Sequence, residues 1–215
     1  MIFSLNEIDV HCKKAARGAG FEWGHAEEIG KVIRWLAMYD LPGVSVFASY
    51  LTNLEFRTNK YQAQNSATEK LKKKEDGNGI CPVLKGAYLC DQSSIELPEN
   101  ITIQNLKSPL LLLPYLAFIA GKQQKSFSFK YEQSSFYYGD DQLRFDNTSS
   151  CACGWTQTAQ FYYTGKLITG NREIKFEQNI DEKHWQILNQ FVGRTYVPAS
   201  EVSRQGAGSD EDRTR

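Results

Sequence analysis

One stretch near the beginning of the sequence decides the fold: SLNEIDVHCKKAARGAG, residues 4–20. Ser4 and Glu7 have the spacing of a capping box, in which each side chain satisfies a free backbone amide of the first helical turn. Apolar residues then recur at steps of three and four, which is typical of the buried face of a helix. Gly20 supplies a left-handed stop. The stretch therefore predicts an N-terminal helix that ends at Gly20.

Two further helices are predicted directly after this one. The second is closed by the pair Pro42-Gly43, and a third helix runs to about Phe56. The apolar stripe of the second helix is formed by Trp23, Ala26, Gly30, Ile33 and Ala37. The sequence therefore begins with a helical hairpin followed by a third helix.

The periodicity changes from helical to alternating later in the chain. Residues 80–96 favour extended structure with a turn, and Ser108-Pro109 predicts the N-cap of a buried helix over residues 110–120, kinked at Pro114. From Ser126 onward short alternating runs joined by tight turns predict an antiparallel meander of four or five strands. Asp181 caps a closing helix. Because helices and strands segregate along the chain, we predict an α+β fold.

Composition divides the chain into four parts. Residues 1–56 form the N-terminal helical region, and residues 57–79 are polar enough to predict a flexible loop. Residues 80–202 form an α+β region that packs with the helices as one domain, and residues 203–215 are a polar tail.

Charge and cysteine content restrict the classes of function. Lys and Arg together number 25, as do Asp and Glu, so the formal net charge is zero. A neutral chain lacks the basic surface of a nucleic-acid-binding protein, so we predict no nucleic acid partner. The most apolar segment is too short to span a bilayer, which predicts no membrane partner. Five irregularly spaced cysteines without an export signal indicate reduced thiols and a cytoplasmic location.

The usual cofactor and metal motifs are missing. No glycine-rich phosphate-binding loop or dinucleotide fingerprint is present, so we expect no organic cofactor. Cys151 and Cys153 lie on one loop, but structural zinc sites use two paired ligand knuckles. We therefore predict no metal site and interpret the pair as small residues that enter a strand.

Three candidate sites remain. At the hairpin bend, Arg17 is a substrate-binding candidate and Glu27 a catalytic one, whereas helix capping and ion pairing of Glu27 and Glu28 is the structural alternative. Cys81 is a possible nucleophile if loop amides lower the pKa of its thiol. A buried structural cysteine is the alternative reading of that residue.

The C-terminal segment supplies the third candidate. Glu201 is a catalytic candidate there, and the substrate-binding candidates are Tyr196, Ser200 and Arg204. Guanidinium groups bind carboxylates with two parallel hydrogen bonds, so these residues can clamp a small carboxylate. A disordered tail is equally compatible with the composition.

Motifs along nearly the whole chain carry a family resemblance, and those at its two ends are the most specific. They are the residues 4–8, 14–20, 23–24, 26–28 and 34–36, and then 81–82, 86–87, 109–114, 195–201, 203–204 and 206–208. They resemble a bacterial family catalogued as domain of unknown function 3726. The resemblance implies no activity, but it implies that the C-terminal segment belongs to the fold. The hairpin is also similar to the N-terminal helices of the type-2 malate/L-lactate dehydrogenases, where the following turn holds a catalytic histidine. Residues 41–45 at that turn include no histidine, so this likeness implies a shared hairpin design.

Two functions fit these observations. The first is a cytoplasmic enzyme or enzyme subunit that acts on a small polar carboxylate metabolite, and it requires both ends of the chain to converge. The alternative is a non-catalytic protein-interaction or accessory subunit, which binds a protein partner through the aromatic strands or the polar tail.

Overall fold

The α+β fold predicted from the sequence is confirmed. The structure, a computed structural model, describes residues 1–55, 79–93, 98–165 and 173–196. The helices in these ranges are α1 (Leu5–Gly18), α2 (Trp23–Met38), α3 (Gly43–Glu55), α4 (Pro82–Gln92), α5 (Leu113–Gln123) and α6 (Glu182–Gly193). The strands are β1 (Ile2–Ser4), β2 (Asn100–Lys107), β3 (Ser126–Tyr131), β4 (Ser134–Gly139), β5 (Gln142–Asn147), β6 (Trp155–Thr164) and β7 (Glu177–Asn179). The predicted polar loop, apart from Gly79, and the polar tail lie outside the described residues.

The hairpin α1–α2 begins and turns as the sequence predicts. The Ser4 amide donates to the Glu7 carboxylate over 2.8 Å, and the Glu7 amide donates to the Ser4 hydroxyl over 3.3 Å. At the other end of α1, Gly20 has φ of 96°, a left-handed conformation that glycine adopts without strain. The capping box and the glycine stop are both confirmed.

Helix α6 closes the fold against α1. Gly18 of α1 lies so near the Phe191 carbonyl of α6 that a β-carbon at Gly18 would overlap the carbonyl oxygen. The two helix backbones are therefore in direct contact. Near the other end of this pair, the Trp185 ring stacks with Phe3, at 3.8 Å between ring centroids, and with His11, at 4.0 Å. Strand β7, next to α6, pairs antiparallel with β1.

The structure corrects three predictions in the middle of the chain. Residues 82–92 are helical rather than extended, because Pro82 occupies the first turn of α4 and Gly86 lies inside the helix against the Tyr115 ring. Ser108 has φ of 38° and makes no side-chain cap, since a 3-10 turn over Pro109–Leu112 precedes α5. Pro114 then lies in the first turn of α5, where it removes no helical hydrogen bond and causes no kink.

Five strands form the main antiparallel sheet, in the order β2-β6-β3-β4-β5. The sequence predicts a meander of four or five strands, but among the described strands of this sheet only β3, β4 and β5 pair in sequence order. Strand β6 returns to the other side of β3, and β2 pairs with β6. Helix α5 packs on β3 and β4. Phe127, Phe129 and Tyr131 alternate toward this covered side and are buried. We call the opposite side the open face of the sheet.

The buried side chains of the N-terminal helices, α5 and the sheet form one continuous hydrophobic core. Among the described residues, no helix combines the length and the apolar character needed to cross a lipid bilayer.

Candidate functional site

At the hairpin bend, Arg17 is engaged in holding the turn. Its guanidinium donates a hydrogen bond to the Phe21 carbonyl and lies 4.6 Å from the centre of the Trp23 ring. Glu27 is exposed one turn into α2. The contacts of Arg17 therefore account for its position without a substrate, while the catalytic role of Glu27 stays a prediction.

The C-terminal end of α6 reaches the same bend. Gly18 contacts Phe191, and the Arg194 guanidinium lies 4.5 Å from the centre of the Phe191 ring. Tyr196, which follows α6, is 65% exposed. The two ends of the described chain thus converge, as the first functional hypothesis requires. Ser200, Glu201 and Arg204 lie outside the described residues, so their roles stay predictions.

Cys81 lies at the N-cap of α4 rather than in an open loop. The Tyr50 hydroxyl donates to its sulfur over 3.0 Å. Burial raises the pKa of the Cys81 thiol, and this outweighs the backbone amides of Leu84 and Val83 that act in the opposite direction. The lowered thiol pKa that a nucleophilic Cys81 requires is therefore not found, and the upward shift favours the alternative of a buried structural cysteine.

Cys151 and Cys153 are both free thiols on the loop before β6. The Tyr131 hydroxyl donates to the Cys151 carbonyl over 3.0 Å, which fixes this loop to the end of β3. Burial raises the pKa of both thiols. Within the described ranges, no group of three or more Cys, His, Asp or Glu side chains is placed to hold a metal ion.

A polar contact between helices escaped the sequence analysis. We call it the Tyr115 seam: Glu28 of α2, Cys90 of α4 and Tyr115 of α5. Burial raises the pKa of the Glu28 carboxyl, and burial together with the Glu28 charge raises the pKa of Tyr115. Glu28 Oε2 and Tyr115 Oη are both buried, and neither has a hydrogen-bond partner of ordinary geometry.

The Tyr115 seam contains a carboxyl group, that of Glu28, whose pKa burial shifts upward. A carboxyl group with a raised pKa keeps its proton nearer to neutral pH and can donate it. The Cys90 thiol lies 3.9 Å from the Tyr115 carbonyl, and burial with the nearby Glu28 and Asp91 charges raises the pKa of Cys90 to about 11. Cys90 is therefore a neutral member of the seam rather than a nucleophile. Since the seam joins three helices, no local pattern in the sequence indicates it.

The open face of the sheet carries a second arrangement that the sequence did not reveal. Cross-strand pairing puts Ser128 of β3 between Tyr137 of β4 and Tyr162 of β6. The Lys130 ammonium lies 6.0 Å from the centre of the Tyr137 ring and 5.6 Å from that of Tyr162. Hydrogen bonding to Tyr162 raises the pKa of Lys130, which keeps its ammonium charged. We call these four residues the tyrosine row.

Ser128 forms the floor of the tyrosine row. Its side chain alternates with the core residues Phe127 and Phe129, so it points toward the open face. Ser128 is nevertheless 0% exposed, and its hydroxyl has no hydrogen-bond partner. A buried hydroxyl without a partner is uncommon and calls for an explanation. The row therefore combines a cation, two phenol rings and an unsatisfied hydroxyl.

The sequence contains part of the signal for the tyrosine row. The alternation along β3 predicts that Ser128 and Lys130 face away from the core. Tyr137 and Tyr162, however, lie in the continuous aromatic runs at residues 136–138 and 161–163. Such runs do not indicate which ring faces outward, because only the strand register decides it.

Comparisons with known proteins support the resemblance at the N-terminus. Residues 3–85 match the family described as Protein of unknown function (DUF3726). The expected resemblance is confirmed over this stretch, which covers the hairpin, α3 and the first turn of α4. No curated protein and no solved structure matches the chain, so the likeness to malate/L-lactate dehydrogenases is not shown. The tyrosine row and most of the Tyr115 seam lie beyond the matched residues.

Proposed function

We propose that this chain is a cytoplasmic bacterial enzyme, or the ligand-binding subunit of one, that acts on a small polar carboxylate without an organic cofactor. One observation supports the proposal: the Lys130 ammonium lies beside two tyrosine rings, above the buried and unsatisfied Ser128 hydroxyl. In the proposed complex the carboxylate pairs with Lys130, and the Ser128 and tyrosine hydroxyls provide further hydrogen bonds.

The charge of the open face favours an anion over a cation. Lys130 is the cationic member of the row, and Arg144, the cross-strand neighbour of Tyr137, is held by Asp146 at 3.1 Å. The remaining outward residues near the row are uncharged, namely Asn100, Thr102, Ser135 and Gln160. A charge-assisted hydrogen bond to a carboxylate is stronger than the neutral hydrogen bonds offered by these neighbours.

The shape of the row favours a ligand with a flat group. Tyr137 and Tyr162 belong to the strands on either side of β3, so their backbones are roughly 10 Å apart. A planar acid can lie against the tyrosine faces while its carboxylate reaches Lys130. The Lys130 side chain can adjust to a ligand, since Lys side chains change rotamer rapidly at a protein surface.

The proposal is tested by NMR titration with benzoate and with benzamide, which has a similar shape but no charge. We expect benzoate to shift the backbone amide signals of β3, β4 and β6 around the row in a saturable manner. Benzamide should bind at least about tenfold more weakly, which corresponds to about 1.4 kcal/mol of binding free energy. Saturable benzoate binding that spares these strands would contradict the proposal, as would equal affinity for benzamide.

Two lysine variants provide a matched comparison. Lys130→Met keeps the length of the side chain but removes the charge, so it should weaken benzoate binding at least about tenfold. Lys125→Met is the control, because the Lys125 ammonium lies 4.8 Å from the centre of one ring, that of Tyr163, and forms no two-tyrosine site. Its affinity for benzoate should stay within about twofold of the parent chain. Equal losses in both variants would indicate general electrostatic attraction rather than a site.

A protein-interaction role is the second candidate, and a different surface favours it. Phe176, which precedes β7, is 81% exposed, and Ile2, the first residue of β1, is 65% exposed. Large exposed apolar side chains can mark a contact with another protein. Light scattering of the parent chain and of the Phe176→Ser variant tests this role. A partner or a second copy that is lost on substitution supports it, and an unchanged monomer at high concentration contradicts it.

A further inference from the structure

The end of the sheet where β3 turns into β4 holds a shallow depression of about 630 Å³. Its walls come from the turn after β3 and from the loop that leads into β6. The lining residues are Glu132, Ser149, Ser150, Ala152, Cys153 and Trp155. None of the site residues predicted from the sequence lines this depression, and the proposed carboxylate site does not include it.

The lining of the depression is acidic and aromatic. Trp155 is 51% exposed, so a large part of its indole is available to a ligand. The Glu132 carboxylate accepts a hydrogen bond of 2.7 Å from the Thr156 hydroxyl, which fixes its position. Among the described residues, no cationic side chain forms a salt bridge with Glu132.

A lysine, Lys107, lies directly opposite Trp155 in the pairing of β2 with β6. Its side chain runs away from the depression. A β-carbon at Gly79 would lie 3.1 Å from Lys107 Cε, and the Lys107 charge acts on the pKa of Cys81 at the start of α4. The lysine therefore contributes to the surroundings of Cys81 and α4.

We propose that this depression binds a small organic cation, such as an alkylated ammonium group, with the Trp155 ring and the Glu132 carboxylate as its two partners. The indole ring is the aromatic face that attracts cations most strongly, and a nearby carboxylate adds direct charge pairing. The same chain contains an internal example, since the Arg17 guanidinium lies 4.6 Å from the centre of the Trp23 ring. Trp155 is half exposed and lines the depression together with Glu132.

The experiment uses choline and its uncharged carbon analogue 3,3-dimethylbutan-1-ol, which has nearly the same shape. Titration of the full chain is followed through the indole N–H signals in a two-dimensional NMR spectrum. We expect choline to shift the Trp155 signal in a saturable manner and the neutral alcohol to bind at least about tenfold more weakly. Equal affinity for both compounds overturns the proposal, as does an unperturbed Trp155 signal throughout the choline titration.

Variants separate the site from general surface effects. Glu132→Gln and Trp155→Leu should each reduce choline affinity, followed in the variants through backbone amide signals of the lining residues, at least about threefold, because each removes one of the two partners. Trp23→Leu is the matched control, since Trp23 is also exposed but its ring already carries Arg17, and choline affinity should be unchanged. Loss of affinity in the control as well, or in neither of the first two variants, contradicts the assignment. The result is independent of the carboxylate proposal, because benzoate and the tyrosine row are not involved.

Discussion

The backbones of α1 and α6 are in contact at Gly18 and Phe191, and we call this contact the joint. On the open face of the sheet, in contrast, only side chains are in contact. Gly18 contacts the Phe191 carbonyl in the joint, and the nearby Arg17 is already engaged by the turn that it stabilises. On the open face Lys130 lies beside two tyrosines with a buried hydroxyl beneath it. The position of Arg17, close to the packed helices, is therefore explained by contacts within the fold. Lys130 on the open face remains a candidate for ligand binding.

The largest effect is expected at the joint, from Gly18→Ala. The added β-carbon overlaps the Phe191 carbonyl, so α1 and α6 must separate. Backbone atoms cannot move aside as a flexible side chain can, and we expect a loss of about 3 kcal/mol in the free energy of unfolding. Urea denaturation measures this loss as a lower transition midpoint.

Gly24→Ala is the control for that variant. Nothing lies within 4 Å of a β-carbon at Gly24, near the start of α2. Alanine favours the helix more than glycine does, so this variant should gain about 0.5 kcal/mol. If Gly18→Ala were as stable as the parent chain, the contact between the two backbones would not be what sets the position of α6.

A smaller effect is expected at the Tyr115 seam, from Glu28→Gln. Because burial raises the pKa of Glu28 in the folded state, the folded chain retains a proton that the unfolded chain releases. Stability from this group is greatest below the unfolded pKa of about 4.5 and falls as the pH rises through the folded pKa. The variant should therefore be more stable than the parent chain at pH 7, and this advantage should shrink toward pH 4.

Thermal unfolding across that pH range measures the difference. Glu27→Gln, the adjacent and exposed carboxyl on the same helix, controls for the general effect of removing one negative charge from α2. The control should change the unfolding free energy by less than about 0.5 kcal/mol. A larger stabilisation from Glu27→Gln than from Glu28→Gln would show that burial is not the cause.

The smallest effect is expected from His11, at the far end of the joint. Burial, with a contribution from Lys14, lowers the pKa of His11 below its usual value, and its Nε2 atom is buried without a partner. The unfolded chain binds this proton first as the pH falls, so stability should decrease below about pH 6.5. His11→Phe keeps an aromatic ring against Trp185 and should lessen that decrease. Equal acid sensitivity of both proteins would contradict this assignment.

Features that depend on neighbouring residues could be predicted from the sequence. The Ser4–Glu7 capping box, the Gly20 stop and the Asp181 cap are formed within one helical turn, and the structure contains all three. Helix α4 was missed because Gly86 is typical of a turn. The structure shows a different reason for the glycine, since the Tyr115 ring occupies the space of a β-carbon.

Features that depend on distant residues could not be predicted. The tyrosine row requires the register of three strands, and the Tyr115 seam requires the packing of three helices. The predicted candidates Arg17, Glu27 and Cys81 were selected for their chemistry and local position alone. The direction of the pKa shift of Cys81 depends on burial, and burial is a property of the whole fold.

The position of β6 between β2 and β3 has a consequence for how the chain folds. Strands β3, β4 and β5 pair with their neighbours in sequence, but β2 meets its partner only across about 50 to 60 residues. Closing so long a loop has a large entropic cost, which is recovered only when β6 is already in place. We therefore expect the meander to form early and β2 to join the sheet late, which would leave the edge of β6 briefly unpaired and prone to association with other chains.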